Sequence, residues 1–246
     1  MDRVYRRQRH IYDLTRKYYL FGRDRVIRNL DLRDGDALVE VGCGTARNLI
    51  AVGRRYPEAR LFGLDASSEM LKTAQESIRG ARLKQPVGLV QVFAEELGPY
   101  TFNPLGMTFD RALFSYSLSM IPDWRAALAA AASVLKPQGR IEIVDFGDLT
   151  GLGTIGEGLL RWWLGLFHVR PRAEILQVLE PKARDIGSNL WISPGRYAFS
   201  WSGTANDLAE LGFSNVAAES QSFTKPRQPA DVTPSSMDNP ASHRPE

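Results

Sequence analysis

Residues 38–48 read LVEVGCGTARN, and a second apolar run, LFGLD, closes on Asp65, twenty-one residues after Gly44. An acidic residue two before the first glycine (Glu40), a Gly-x-Gly turn (Gly42, Gly44) and a carboxylate at the next strand end describe a nucleoside pocket on a parallel sheet. A dinucleotide fingerprint would place its third small residue at position 47, where the pyrophosphate needs close backbone approach. Arg47 stands there, and the small residue, Ala46, comes one step earlier. Outward from this turn, strand candidates at 37–41, 60–65, 87–93, 109–115 and 139–146 alternate with helical stretches at 47–55, 68–80 and 125–135. Such alternation predicts parallel strands, helices on both faces and ligands at the strand carboxyl ends.

With 246 residues, 43% hydrophobic and 24% charged, the chain suits one well-buried α/β domain with extra segments rather than two domains. Its single cysteine, Cys43, lies inside the glycine turn, so no internal disulfide forms and a reducing, cytoplasmic compartment is expected. Cys43 reads as a small residue in a tight turn and not as a nucleophile. The charged start does not resemble a signal peptide, and no run reaches a membrane span, which leaves a soluble or peripheral protein as the expectation. Three scattered histidines (His10, His168, His243) offer no metal-ligand spacing, so no metal is expected.

The net charge of +3 is unevenly placed: residues 1–30 hold nine basic residues against three acidic ones, interleaved with Tyr5, Tyr12, Tyr18, Tyr19 and Phe21. This arm reads as an N-terminal helical cap with a break near Gly22, able to meet an anionic lipid surface or RNA, or to be a solvated helix face. The α/β domain would fill 31–224, and residues 225–246, with five prolines, read as a disordered tail. Residues 159–169, LLRWWLGLFHV, are the most apolar and aromatic stretch. Adjacent Trp162 and Trp163 cannot both face one core from a helix, so part of the stretch is either exposed to a substrate or bilayer, or buried as an insertion helix. The last strand candidate is 215–223. For the other member of a closing hairpin, either 197–201 serves or the sheet lacks an edge strand, and the sequence leaves both open.

The string acidic-x-Gly-x-Gly-x-small resembles motif I of the class I S-adenosylmethionine (AdoMet) methyltransferases, which implies a Rossmann-like sheet with AdoMet as cofactor. By this resemblance Glu40, Gly42, Cys43 and Gly44 form the turn beside the methionyl part, and Asp65 accepts hydrogen bonds from both ribose hydroxyls. Asp65-Ala66-Ser67 followed by Met70-Leu71 is similar to a D-x-S-x-x-M-L form whose apolar side chain covers adenine. Phe93-Ala94-Glu95-Glu96-Leu97 stands where many relatives carry G-D-A-E-x-L. Phe93 replaces the acidic partner of the adenine amino group, so Glu95 or the Ala94 backbone is expected to take that contact. Ser115-Tyr116-Ser117 ends the fourth strand, where family members line the reacting centre, and Leu135-Lys136-Pro137-Gln138-Gly139 matches the turn before strand five.

A narrower resemblance rests on RRQRHIYDLTRKYYLFGRDRVI together with GCGTARNL, Ser115-Tyr116-Ser117-Leu118, LFHVRPR and Gly195-Arg196-Tyr197-Ala198-Phe199. These strings are similar to the bacterial betaine-lipid methyltransferases, which trimethylate the amine of diacylglycerylhomoserine. That resemblance implies that Tyr18 and Arg23 flank the methionyl end of AdoMet, that Tyr12 closes the cap, and that an upstream aminocarboxypropyl transferase builds the glycerolipid amine. A shorter Tyr-Asp start with a downstream Gly-x-x-Arg also occurs in quinone-ring C-methyltransferases. A phosphatidylethanolamine N-methyltransferase fits the same fold. Outside this class, the readings are an AdoMet-binding partner subunit without catalysis and a basic RNA-binding module.

The chemistry constrains the site independently. Methyl transfer to nitrogen is an in-line displacement from a sulfonium, which needs alignment and a neutral amine. An α-amino group with a pKa of about 8 is already partly neutral near pH 7. Tyr12, Tyr116 and Tyr197 are the candidates to face the growing quaternary ammonium through cation–π attraction. His168, after the aromatic run, is the candidate proton acceptor or headgroup contact, or else a structural histidine.

Overall fold

Strand β1 (Ala37–Val41) is buried at every position, as a central parallel strand covered on both faces must be. It pairs in parallel with β2 (Arg60–Asp65) on one side and β4 (Phe109–Ser115) on the other, so that Glu40 lies between Gly63 and Leu113. In this computed structural model, which describes residues 21–165, 171–183 and 189–213, the sheet has seven strands in the order β3-β2-β1-β4-β5-β7-β6. Strands β3 (Val87–Gln91) and β5 (Leu135–Phe146) continue the parallel set. The closing hairpin is β6 (Asn189–Ile192) and β7 (Ala198–Thr204), with β7 antiparallel to β5.

That hairpin settles the open edge of the sheet: 197–201 falls at and in β7, and Asn189–Ile192 supplies the outermost strand. The turn between them carries the signal. Pro194 starts a tight bend and Gly195 takes a φ of +68°, while Ser193 Oγ accepts the Ala198 N–H at 2.9 Å. The 215–223 strand candidate lies outside the described residues, as do residues 1–20 of the cap and the whole tail. Leu135-Lys136-Pro137-Gln138-Gly139 lies at the start of β5 as an irregularity, because Phe109 faces Leu135 while Arg111 already faces Arg140.

The helices cover the two faces as the βα alternation requires. Short α1 (Arg23–Arg28), α2 (Arg47–Arg55) and α3 (Ser68–Ala81) enclose one core with Val26, Ile27, Leu30, Leu49, Val52 and Leu71. On the other face, α4 (Trp124–Ser133) and α6 (Ala173–Ala183) bring Trp124, Leu128, Ile175 and Leu179 against Val39, Phe114 and Ile143. Side chains start two of them: Ser67 Oγ accepts the Met70 N–H and Asp123 Oδ1 the Ala126 N–H. After β5, a turn at Thr150–Leu152 leads into α5 (Gly153–Gly165), which takes in the first seven residues of the apolar stretch. Leu164 is buried there, whereas Leu159 and Trp162 are 65% and 64% exposed.

Candidate functional site

Three alternate residues after β1 have left-handed backbone: Gly42 (φ +75°), Gly44 (+53°) and Ala46 (+63°). The third reversal falls at 46, and there a methyl group is carried in a conformation costing about 1 kcal/mol for an L-residue. Position 47 already begins α2 and is free to be arginine. Gly42 needs its missing side chain for a second reason, since a Cβ there would stand 2.7 Å from the Ser117 Cβ. The N–H groups of Gly42 and Cys43 both donate to the Leu64 carbonyl at 2.9 Å, stapling the turn to the end of β2.

Two carboxylates frame this turn. Glu40, 1% exposed, accepts from Asn48 Nδ2 at 2.6 Å and so ties β1 to the first turn of α2. Asp65 is half-buried, with Oδ2 accepting the Gly44 N–H at 2.8 Å and Oδ1 the Ser67 N–H at 2.9 Å. Their charge is felt by Cys43: burial pushes its thiol far above the ordinary range, and Glu40 and then Asp65 push it further. The cysteine is therefore an inert filler against Gly63, where an added Cβ would meet its sulfur at 2.9 Å.

The donor set fits AdoMet. A pyrophosphate turn points its glycine N–H groups at phosphate, but here the Gly44 N–H is taken by Asp65 and the local field is negative. A sulfonium suits that field. Asp65 stands at the carboxyl end of β2, where a ribose lies in such sheets. Farther along, Ala66 is exposed and Met70 is buried at the start of α3. Ala94 is buried and Glu95 exposed, while the Glu96 carboxylate accepts the Phe93 N–H. Phe93 itself is 58% exposed.

On the acceptor side, the ends of β4, β5 and the β6–β7 hairpin meet α1. Tyr116 has a left-handed φ of +55°, and its ring packs edge-on against Phe146 at 4.7 Å. Its hydroxyl donates to the Phe21 carbonyl at 2.6 Å. Burial raises its pKa well above the ordinary value, with Tyr197 and Asp145 adding to the shift. At 2% exposure Tyr116 holds the chain entering α1 to the end of β4; its ring is not the open cation-facing surface expected of it. Tyr197 is half-buried and meets Phe21 at 5.5 Å and Phe146 at 5.8 Å, both edge-on. Arg23 lies beside this cluster with its side chain mostly covered and pairs with the exposed Asp24 at 3.0 Å.

Two residues had no role assigned from the sequence, Arg196, quoted there only within a string, and Asp145. Arg196 donates to both Asp148 oxygens at 2.8 and 2.9 Å and to Glu180 at 2.6 Å, joining β5, α6 and the hairpin turn. Asp145, in the run IVDF, is buried at the end of β5; an acidic residue inside an apolar strand was the available signal. Glu40, Gly42, Cys43, Gly44, Asp65 and Ser115 thus gather at the ends of β1, β2 and β4, and Tyr197 and Arg23 with Tyr116 at the acceptor side. Ser115 is buried. Tyr12, Tyr18 and His168 lie outside the described residues. Among the described residues no group of three or more His, Cys, Asp or Glu is placed to hold a metal ion, and no helix is long and apolar enough to cross a membrane.

The sheet and its flanking helices have the fold of the class I methyltransferases, and residues 38–139 match a family described as a methyltransferase domain. Among curated proteins, a demethylmenaquinone methyltransferase of Bacillus mycoides is 32% identical over 132 residues, 53% of each chain. One of Lactobacillus johnsonii is 32% identical over 129 residues, 52% of this chain and 51% of that one. The chain spans about half the length of these relatives. Of solved structures, a SAM-dependent methyltransferase from Aquifex aeolicus superposes with a TM-score of 0.53 at 18% identity, covering 76% of this chain and 91% of that one. A Haemonchus contortus phospholethanolamine N-methyltransferase gives 0.53 at 18% identity, over 70% and 38%. These structures share the fold.

Proposed function

We propose that this chain transfers methyl groups from AdoMet to the amine of a glycerolipid headgroup, converting diacylglycerylhomoserine to its N,N,N-trimethyl form. The acidic character of the site carries the reading: Glu40, Asp65 and Asp145 stand at the ends of β1, β2 and β5. When bound, AdoMet supplies an electrophilic methyl on a sulfonium, and positive charge passes to the acceptor nitrogen as the methyl moves. Carboxylates held by neutral N–H donors favour a cation at both ends of that path. They disfavour the oxyanion through which a quinol ring is activated. In this reading Asp65 holds the ribose, the Gly42–Gly44 turn seats the methionyl part, and Phe21 and Tyr197 present aromatic surface to the alkylated nitrogen.

A lipid acceptor also requires contact with a bilayer. Support comes from α5, where Leu159 and Trp162 are exposed one helical turn apart, on the segment that follows β5 out of the site. The chain would then act peripherally on the inner face of a membrane, after an upstream aminocarboxypropyl transferase. One observation favours a second reading: the curated relatives at 32% identity are named demethylmenaquinone methyltransferases, which makes a quinone C-methyltransferase the rival.

The two separate in one assay. The full chain is incubated with AdoMet labelled in its methyl group and either diacylglycerylhomoserine or demethylmenaquinol in mixed micelles, and the products are resolved by mass spectrometry. Mono-, di- and trimethylated headgroups are expected with the first substrate only. Label entering the quinol ring and not the amine overturns the proposal in favour of the rival.

A further inference from the structure

Asp145 has no part in the proposal above beyond its charge, yet its placement is specific. It is the next-to-last residue of β5, at 1% exposure. One carboxylate oxygen accepts the Phe146 N–H at 2.7 Å, and the other accepts the Ser119 N–H at 3.1 Å. Ser119 belongs to the connection between β4 and α4, which also carries Tyr116 and Ser117. That connection begins with a strained residue, Tyr116 at φ +55°, and then presses Ser117 onto Gly42, where no side chain would fit. A backbone held in left-handed φ by a bulky residue needs outside restraint. Two restraints are in place. Asp145 holds Ser119 from the sheet side, and Arg172 holds the Leu118 and Ile121 carbonyls at 3.2 and 2.7 Å from the start of α6.

We propose that Asp145 is a positioning residue for the cofactor site: its ionised carboxylate fixes the β4–α4 connection, and through Ser117 the glycine turn, so that cofactor affinity depends on its charge. The inference rests on the AdoMet reading of that turn. A carboxylate accepts two N–H groups with charge-assisted bonds, roughly twice as strong as neutral ones, and protonation weakens both. The negative charge also attracts a sulfonium across a low-dielectric interior, so the two effects act in one direction.

The Asp145 charge is felt by Tyr116 at the end of β4, on which Tyr197 of the hairpin and Arg23 of α1 also act; the connection itself is met by Arg172, paired with Glu174, and Asp148 with Arg196 lies beyond β5. Of these, none is a carboxylate held in a fully covered site as Asp145 is. Burial lifts Asp145 from an ordinary 3.8 to about 6, which puts its titration within reach of experiment. Glu142, lower on the same strand, is lifted by burial to about 7 and is the control.

The experiment is calorimetric titration of the full chain with AdoMet between pH 5 and 8. The parental protein should bind at least about fivefold more weakly at pH 5 than at pH 7.5, with a half-point near 6. Asp145→Asn should bind weakly at both pH values, and Glu142→Gln should keep the parental transition. Folding stability should move the opposite way. A buried carboxylate whose folded pKa lies above its unfolded one loses stability as pH rises from about 4 to 6. Affinity rising while stability falls is an outcome a purely structural role does not produce.

Should Asp145→Asn fail to fold, carbon-13 titration of the parental carboxyl serves instead. By linkage, a fivefold preference for the ionised form requires saturating AdoMet to lower the Asp145 pKa by about 0.7. A pKa unmoved by AdoMet, or a binding transition that survives in Asp145→Asn, overturns the inference while leaving the cofactor assignment intact. No binding at any pH sinks that assignment, and this inference with it.

Discussion

Replacing Asp65 by alanine tests the proposed cofactor site at its centre, because two tasks meet on this carboxylate. It fixes the glycine turn through Gly44 and the start of α3 through Ser67, at 2.8 and 2.9 Å, and in the proposed reading it holds the ribose. The first task concerns stability. Both N–H groups sit at a half-exposed position where water can replace the carboxylate, so the cost should be about 1 to 2 kcal/mol, the lower part of the range for charge-assisted bonds. The second concerns affinity. Two hydroxyl-to-carboxylate bonds, lost together, are worth about 2 to 4 kcal/mol, or roughly 30-fold to 1,000-fold in Kd. Asp65→Asn keeps one acceptor oxygen and should lose about half of that. Calorimetry with AdoMet reads affinity, and a urea titration of the same samples reads stability. If Asp65→Ala binds AdoMet within about threefold of the parent while folded, the carboxylate only braces the turn and the ribose assignment fails.

Three further outcomes follow from named contacts. Gly63→Ala drives a methyl to 2.7 Å from Leu49 and 2.9 Å from the Cys43 sulfur in a packed interior, and should lower stability by about 1 to 3 kcal/mol; an unchanged urea midpoint would mean that α2 shifts freely. Glu142 is lifted by burial from an ordinary 4.5 to about 7, so the folded chain binds this proton more tightly than the unfolded one, and stability is lost as pH rises across that window. Glu142→Gln keeps an acceptor for the Ser202 hydroxyl and should raise stability at pH 8 by up to about 3 kcal/mol, with no gain near pH 4.5; equal gain at both pH values would refute the charge argument. Paired Leu159→Ser and Trp162→Ser should reduce co-sedimentation with vesicles containing anionic lipid at least about tenfold without changing AdoMet affinity, and parental binding to vesicles would remove α5 from the membrane contact.

Most of the cofactor half was legible in the sequence because it depends on local constraints. Positions 42, 44 and 46 must each reverse the chain, which only small residues tolerate cheaply, and the carboxylate at the end of the next strand is fixed by strand length. Helices at 47–55 and 68–80 were readable for the same reason, since their periodicity is recorded in a single segment; the second runs one residue further, to Ala81. The hairpin was less so. NLWI is four residues long, too short for a period to show, and its identity as an edge strand comes from pairing with β7. Tyr116 was expected at the reacting centre, but the orientation of its ring was not legible. Which way a ring at φ +55° points depends on Phe146 and Phe21, residues 30 positions later and 95 earlier.

The sequence by itself determined a parallel α/β sheet, the nucleoside turn and the acidic residue beside it, because these are written in spacings of a few residues. Only the tertiary structure decided that the Gly44 N–H is occupied by Asp65, that Arg196 is neutralised between Asp148 and Glu180, and that Asp145 restrains the connection carrying Ser117. Each of these joins groups far apart along the chain. Their partners are chosen by how strand ends and loops converge in space, and by the cost of leaving a charge or an N–H unmatched once water has been excluded.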